Sequence, residues 1–176
     1  YGPWPHPAIL VYATPNGGGM EYSGATITSL HAVDHELFHS YHARGLMPAQ
    51  GNAGWMDEAI ASWRDQGYVL RSAPGATTRM AGHSAWQRKT DRAAYSRGRD
   101  FIAWMAGQMR EVNLDMKTFL RQYFEANRYT TVTTLFFQRA MQDYRHADLS
   151  AEFDRYIYGT LRTEGPKRLS EEEAEN

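Results

Sequence analysis

Two histidines four residues apart, in His35-Glu36-Leu37-Phe38-His39, are followed 19 residues after His39 by Glu58, within Gly54-Trp55-Met56-Asp57-Glu58-Ala59. No other feature of the chain constrains its fold as much. Residues four apart lie on one helix face, one turn apart. His35 and His39 can therefore aim at a common point only if their segment is helical. Glu58 can join them only if a second helix returns alongside the first. Two imidazoles and a carboxylate that converge in this way can hold one zinc ion, each donor roughly 2.0–2.2 Å away, and leave a fourth position open. Glu36 lies about 100° further round the axis. It misses the ion but can exchange a proton with water beside it.

The same spacing also arises by chance on helices, and this segment offers rival donors. His31 and His42 lie near the same face, and His31 and His35 form a second pair four apart. Only the pair His35 and His39 has a glutamate directly after its first histidine. His31 and His42 are therefore read as supporting or surface residues. Asp57, beside Glu58, is the alternative third ligand.

Composition narrows the surroundings of this site. A chain of 176 residues with 42% hydrophobic residues can bury one compact core. A net charge of −1 does not suggest a nucleic-acid partner. Uninterrupted apolar runs such as Ala8 to Ala13 do not exceed six residues, too short for a membrane segment. Cysteine is absent, so the zinc donors must be nitrogen and oxygen. The chain opens at Tyr1 with no basic or apolar leader. This predicts a piece of a longer protein with further domains of the same full-length chain, and leaves the compartment open.

The periodicity changes along the chain. Residues 8–13 read as a strand, Asn16 to Gly19 as a turn, and Ala25 to Thr28 as a second strand. Leu30, Val33, Leu37 and Tyr41 form an apolar stripe that predicts a helix from Leu30 to about Arg44, stopped by Gly45. Residues 46–53 form a loop, and Trp55 to Tyr68 a second helix. Residues 71–85 read as a mobile connection. Helices are expected over 95–109, 114–126, 133–144 and 149–158, with Asp148 as a candidate N-cap. Trp55, Trp63 and the Met and Phe positions after residue 100 belong to the core. Beyond Gly165 the chain is charged and reads as a tail.

These residues resemble the gluzincin metallopeptidases, and more narrowly the aminopeptidase N family. Three further segments, in the same order, carry the resemblance over residues 8 to about 145. Gly18-Gly19-Met20-Glu21-Tyr22 resembles that family's Gly-x-Met-Glu-Asn segment. Tyr95-Ser96-Arg97-Gly98 resembles its Tyr-x-Lys-Gly segment. Phe119 to Tyr123, then Tyr129 and Thr133-Thr134, resemble the helical stretch that follows. Tyr22, Asp57 and Arg97 depart from the family pattern, and the interval from Glu58 to Tyr95 is short.

The resemblance implies an α+β, mostly helical fold. It implies a thermolysin-like catalytic domain over residues 1–160 with a small, mostly antiparallel N-terminal sheet, and a charged tail over 161–176. It implies that His35, His39 and Glu58 hold one Zn2+ and that Glu36 activates water. Tyr95 would stabilise the oxyanion formed on the scissile carbonyl. Gly18, Gly19 and Met20 would run beside a peptide substrate, and Glu21 would bind its free α-amino group. The implied activity is removal of N-terminal residues from a peptide or protein. Two alternatives stay open: an endopeptidase in which Glu21 is structural, and a zinc-stabilised peptide-binding domain without catalysis. Gly17 to Gly19 are not a phosphate loop, since no Lys-Ser/Thr follows. Arg88, Lys89, Arg92, Arg97 and Arg99 form a basic run, read as a solvated face.

Overall fold

A computed structural model describes residues 2–49, 52–84 and 90–160. Arg88, Lys89 and the expected tail over 161–176 lie outside the described residues.

The N-terminal part forms strands β1 (Leu10–Thr14), β2 (Met20–Tyr22) and β3 (Ala25–Ser29), in the order β1-β3-β2. β2 and β3 pair antiparallel around a tight turn at Gly24, whose φ is +74°. β1 and β3 run parallel, with Leu10 opposite Ala25 and Thr14 opposite Ser29. The sheet is thus mixed, which corrects the expectation of a mostly antiparallel one. β3 takes the centre because it alone carries buried side chains: Thr26, Thr28 and Ser29 are buried. It therefore separates β1 from β2, the strand that follows β1 in sequence. Tyr12, Ile27 and Met20 align across the sheet and remain exposed.

The helices are α1 (Val33–His42), α2 (Trp55–Asp65), α3 (Arg97–Glu111), α4 (Met116–Ala126), α5 (Thr134–Arg145) and α6 (Ser150–Tyr156). A short 3-10 turn over Arg92–Tyr95 precedes α3, so Tyr95 lies outside the helix expected to begin with it. Asp115 and Thr133 cap α4 and α5, accepting from the N–H groups of Thr118 and Phe136. Asp148 accepts from the N–H of Ser150 at 2.9 Å as α6 begins. The expected loop over 46–53 contains strand β4 (Met47–Pro48), which pairs in parallel with β5 (Thr131–Val132). Through residue 84, the connection expected over 71–85 carries no helix or strand beyond a bridge from Arg79 to Tyr158.

The core lies among α2 to α6. Trp55, Phe101, Phe124, Phe137 and Phe153 are fully buried, and Trp63 is nearly so. Two contacts fix α2 in place. The Trp55 indole N–H donates to Thr134 Oγ1 at 3.0 Å in the interior, while Thr134 Oγ1 donates to the Asn52 carbonyl. On the other side, Gly98 of α3 lies against Ala59: a Cβ at Gly98 would come within 3.0 Å of the Ala59 Cβ. The helix that carries Glu58 is therefore held from both sides.

α1 is shorter than its expected span, and its buried face differs from the apolar stripe. Leu30 is 80% exposed, whereas Glu36, Phe38, His39, Ser40 and His42 are buried. Among the described residues, no helix is long and apolar enough to cross a membrane.

Candidate metal centre

One turn of α1 stacks His35 and His39 with ring centroids 4.7 Å apart. Glu58, in the first turn of α2, faces both. Its Oε2 lies 3.2 Å from His35 Nε2 and 3.5 Å from His39 Nε2. Ligand atoms of these three side chains all lie within 4.8 Å of one another. Two donors each about 2.05 Å from a tetrahedral ion stand about 3.3 Å apart. The two measured separations bracket that value, so the donor set fits a zinc ion in spacing and, with two imidazoles and a carboxylate, in chemistry.

The protonation of the trio points the same way. Burial pulls the His35 imidazole down, but its hydrogen bonds to the Glu58 and Asp65 carboxylates, with their charges, outweigh burial and raise its pKa to about 9. His39 shifts upward from the same balance of burial against Glu58. Burial pushes Glu58 up, yet the two histidines and Tyr95 hold it down at about 2. The pocket therefore favours positive charge next to an ionised carboxylate. A divalent cation can supply that charge in place of the imidazole protons.

Asp65 completes the support. Its Oδ2 accepts from His35 Nδ1 at 2.6 Å, which fixes the ring with Nε2 turned toward Glu58. His39 Nδ1 is buried with no hydrogen-bond partner among the described residues. Asp57 does not join the donor set. It is buried, its Oδ1 accepts from the Glu58 N–H at 2.7 Å, and burial lifts its pKa to about 7.

Glu36 lies beside the trio, 6% exposed, its Oε2 without a hydrogen-bond partner among the described residues. Burial raises its pKa, and the charges of His39 and His35 oppose the shift. A ligand atom of Glu36 also falls within 4.8 Å of one from Glu21 and one from His39, so His39 has three glutamates, Glu21, Glu36 and Glu58, close by. The Tyr95 hydroxyl donates to Glu58 Oε1 at 2.5 Å, and its ring stacks on His35. Burial, then the Glu58 carboxylate, pushes the Tyr95 pKa upward, so its hydroxyl stays protonated and able to donate.

These groups line a cleft of about 540 Å³. Gly18, Gly19, Met20, Glu21, His35, Glu36, Glu58 and Tyr95 all border it, and His39 is buried beside them. Every site residue expected from sequence is thus brought to one place. His42 falls on the buried side of its reading as a supporting or surface residue. It is 1% exposed, packed against Phe38 and Phe124 rather than at the surface, and burial drives its pKa down to about 3. His31 is exposed and does not join the donor set.

Compared with known protein families, curated proteins and solved structures, the chain shows no match.

Two residues of the site escaped sequence reasoning. Asp65 lies seven residues after Glu58, two turns along the same face of α2, a spacing that could have revealed it. Arg44, just past α1, donates to the Glu21 carbonyl through Nε and Nη2 and to Glu21 Oε1 at 2.9 Å. No local pattern announces that pairing, because it depends on β2 folding back along α1.

Proposed function

We propose that this chain is a zinc-dependent metallopeptidase that hydrolyses peptide bonds and trims residues from a free N-terminus. The observation that carries the proposal is the convergence of His35, His39 and Glu58 at zinc-donor spacing, with Glu36 and Tyr95 bordering the same cleft. The resemblance to the aminopeptidase N family supports it, as does the element order, a small sheet, a two-helix centre and a helical lobe, taken as thermolysin-like. A peptide substrate and further domains of a longer chain belong to the same proposal.

His35, His39 and Glu58 would hold the zinc. When bound, zinc supplies a Lewis acid that polarises a carbonyl and lowers the pKa of water toward neutrality. Asp65 orients His35. Glu36 takes the proton of the attacking water and returns it to the leaving amine; a carboxylate with a raised pKa suits that exchange near neutral pH. Tyr95 turns its hydroxyl from Glu58 to the developing oxyanion. The backbone of Gly18 and Gly19 borders the substrate as an edge strand would. Glu21 faces the cleft and would receive the α-ammonium group.

One observation favours a second reading, an endopeptidase. Arg44 already neutralises Glu21 at 2.9 Å, so this carboxylate can be structural. Paired substrates separate the two. Zinc-loaded protein should cleave aminoacyl amides and lose that activity when the substrate N-terminus is acylated. Unchanged cleavage of the acylated form would favour the endopeptidase. Glu36→Gln should retain zinc and lose turnover by about 10²–10⁴-fold; full activity in this variant would refute the role of Glu36.

A further inference from the structure

Just before β2, Gly19 lies against Glu36 of α1 and carries no side chain. A Cβ built at Gly19 would stand 2.2 Å from both Cγ and Cδ of Glu36 and 2.4 Å from its Oε1. Real carbon atoms do not come that close, so something would have to move. Gly19 does not have a left-handed backbone, since its φ lies outside that region. Its requirement is for space alone. The neighbouring Gly18, by contrast, has nothing within 4 Å of a built Cβ.

Which partner would yield is decided by how each is held. The strand is fastened on both sides. Met20, Glu21 and Tyr22 pair with Ile27, Thr26 and Ala25. Arg44 grips the Glu21 carbonyl twice and its carboxylate once. Thr26 Oγ1 also donates to the Met20 carbonyl at 3.1 Å. Glu36 has much less to lose, because its Oε2 makes no hydrogen bond among the described residues and its side chain can change rotamer.

We infer that Gly19 is a positioning residue for Glu36: the missing side chain forms the socket that aims this carboxylate into the cleft, and Arg44 keeps the strand from retreating. The functional consequence rests on the peptidase proposal; the steric one stands without it.

Two double-mutant cycles test this. In the first, read by thermal melting of the zinc-loaded protein, Gly19→Ala lowers the melting temperature by roughly 2–4 °C in the wild-type background. In a Glu36→Ala background the same substitution costs nothing, since the atoms it would meet are gone. Equal losses in both backgrounds would overturn the inference. In the second cycle, read by turnover, Gly19→Ala lowers kcat by about 10²–10⁴-fold and keeps one zinc per chain. Added to Glu36→Gln, it lowers kcat no further. A multiplied loss in the double variant would assign Gly19 a role independent of Glu36 and overturn the inference. If the zinc-loaded wild type cleaves no peptide while the melting cycle is non-additive, the peptidase proposal fails and the socket stands.

Discussion

Asp65→Asn should weaken zinc binding by about tenfold without removing a ligand. The carboxylate accepts from His35 Nδ1 at 2.6 Å, a charge-assisted bond that holds the ring with Nε2 turned toward Glu58. Removing such an outer partner costs about 10–100-fold in metal affinity, or about 1.4–2.7 kcal/mol. Two features place this site at the lower end. Asp65 is 35% exposed, so solvent screens its charge. It also shares that charge with Arg64 Nη1 at 3.0 Å. The amide keeps the shape and one acceptor oxygen, so the fold and the stoichiometry of one zinc per chain should persist. Competition against a chelator of known affinity, at fixed pH and salt, reads the change. Glu58→Gln, which removes a donor charge itself, should lose more. Wild-type affinity in Asp65→Asn would refute the claim that Asp65 holds His35 for the metal.

Tyr95→Phe should lower kcat by about 10²–10³-fold on the best amide substrate, the loss expected of one oxyanion donor, with zinc content unchanged; wild-type kcat would remove Tyr95 from the chemistry. His42 gives the pH prediction. Its pKa is pushed from 6.5 to about 3 by burial, so below pH 6.5 the unfolded chain binds a proton that the native chain does not. The stability that His42 provides in its neutral form is present above 6.5 and falls as the pH drops toward 3. The stability gap between wild type and His42→Leu should therefore shift by about 2 kcal/mol against the wild type between pH 7 and pH 5. Urea titrations at the two values measure it, and a constant gap would contradict a buried neutral imidazole.

How much of this was legible in the sequence depended on whether the signal was local. The trio of donors was, because helical spacing carries His35 and His39 to one point and the next helix returns Glu58. Trp55 and Trp63 were legible as core for the same reason. The buried face of α1 was not. Apolar periodicity marks Leu30, Val33, Leu37 and Tyr41, but the side of α1 that turns inward also carries the site, so Glu36, His39 and Ser40 are buried there. A rule that equates polar with exposed reads that side as solvent. Strand pairing failed differently. Nothing in Leu10 to Thr14 says that its neighbour is β3 in parallel rather than β2 in antiparallel; the burial of Thr26 and Thr28 decides it. Arg44 and His42 depend on contacts with distant segments, with Glu21 and with Phe124, which sequence spacing does not encode.

Metal analysis of purified, zinc-reconstituted protein, wild type beside His39→Ala, tests the central claim most directly. One zinc per wild-type chain and none retained by the variant after gel filtration is the expected result. A wild type that holds no zinc, or a variant that holds as much, would contradict it.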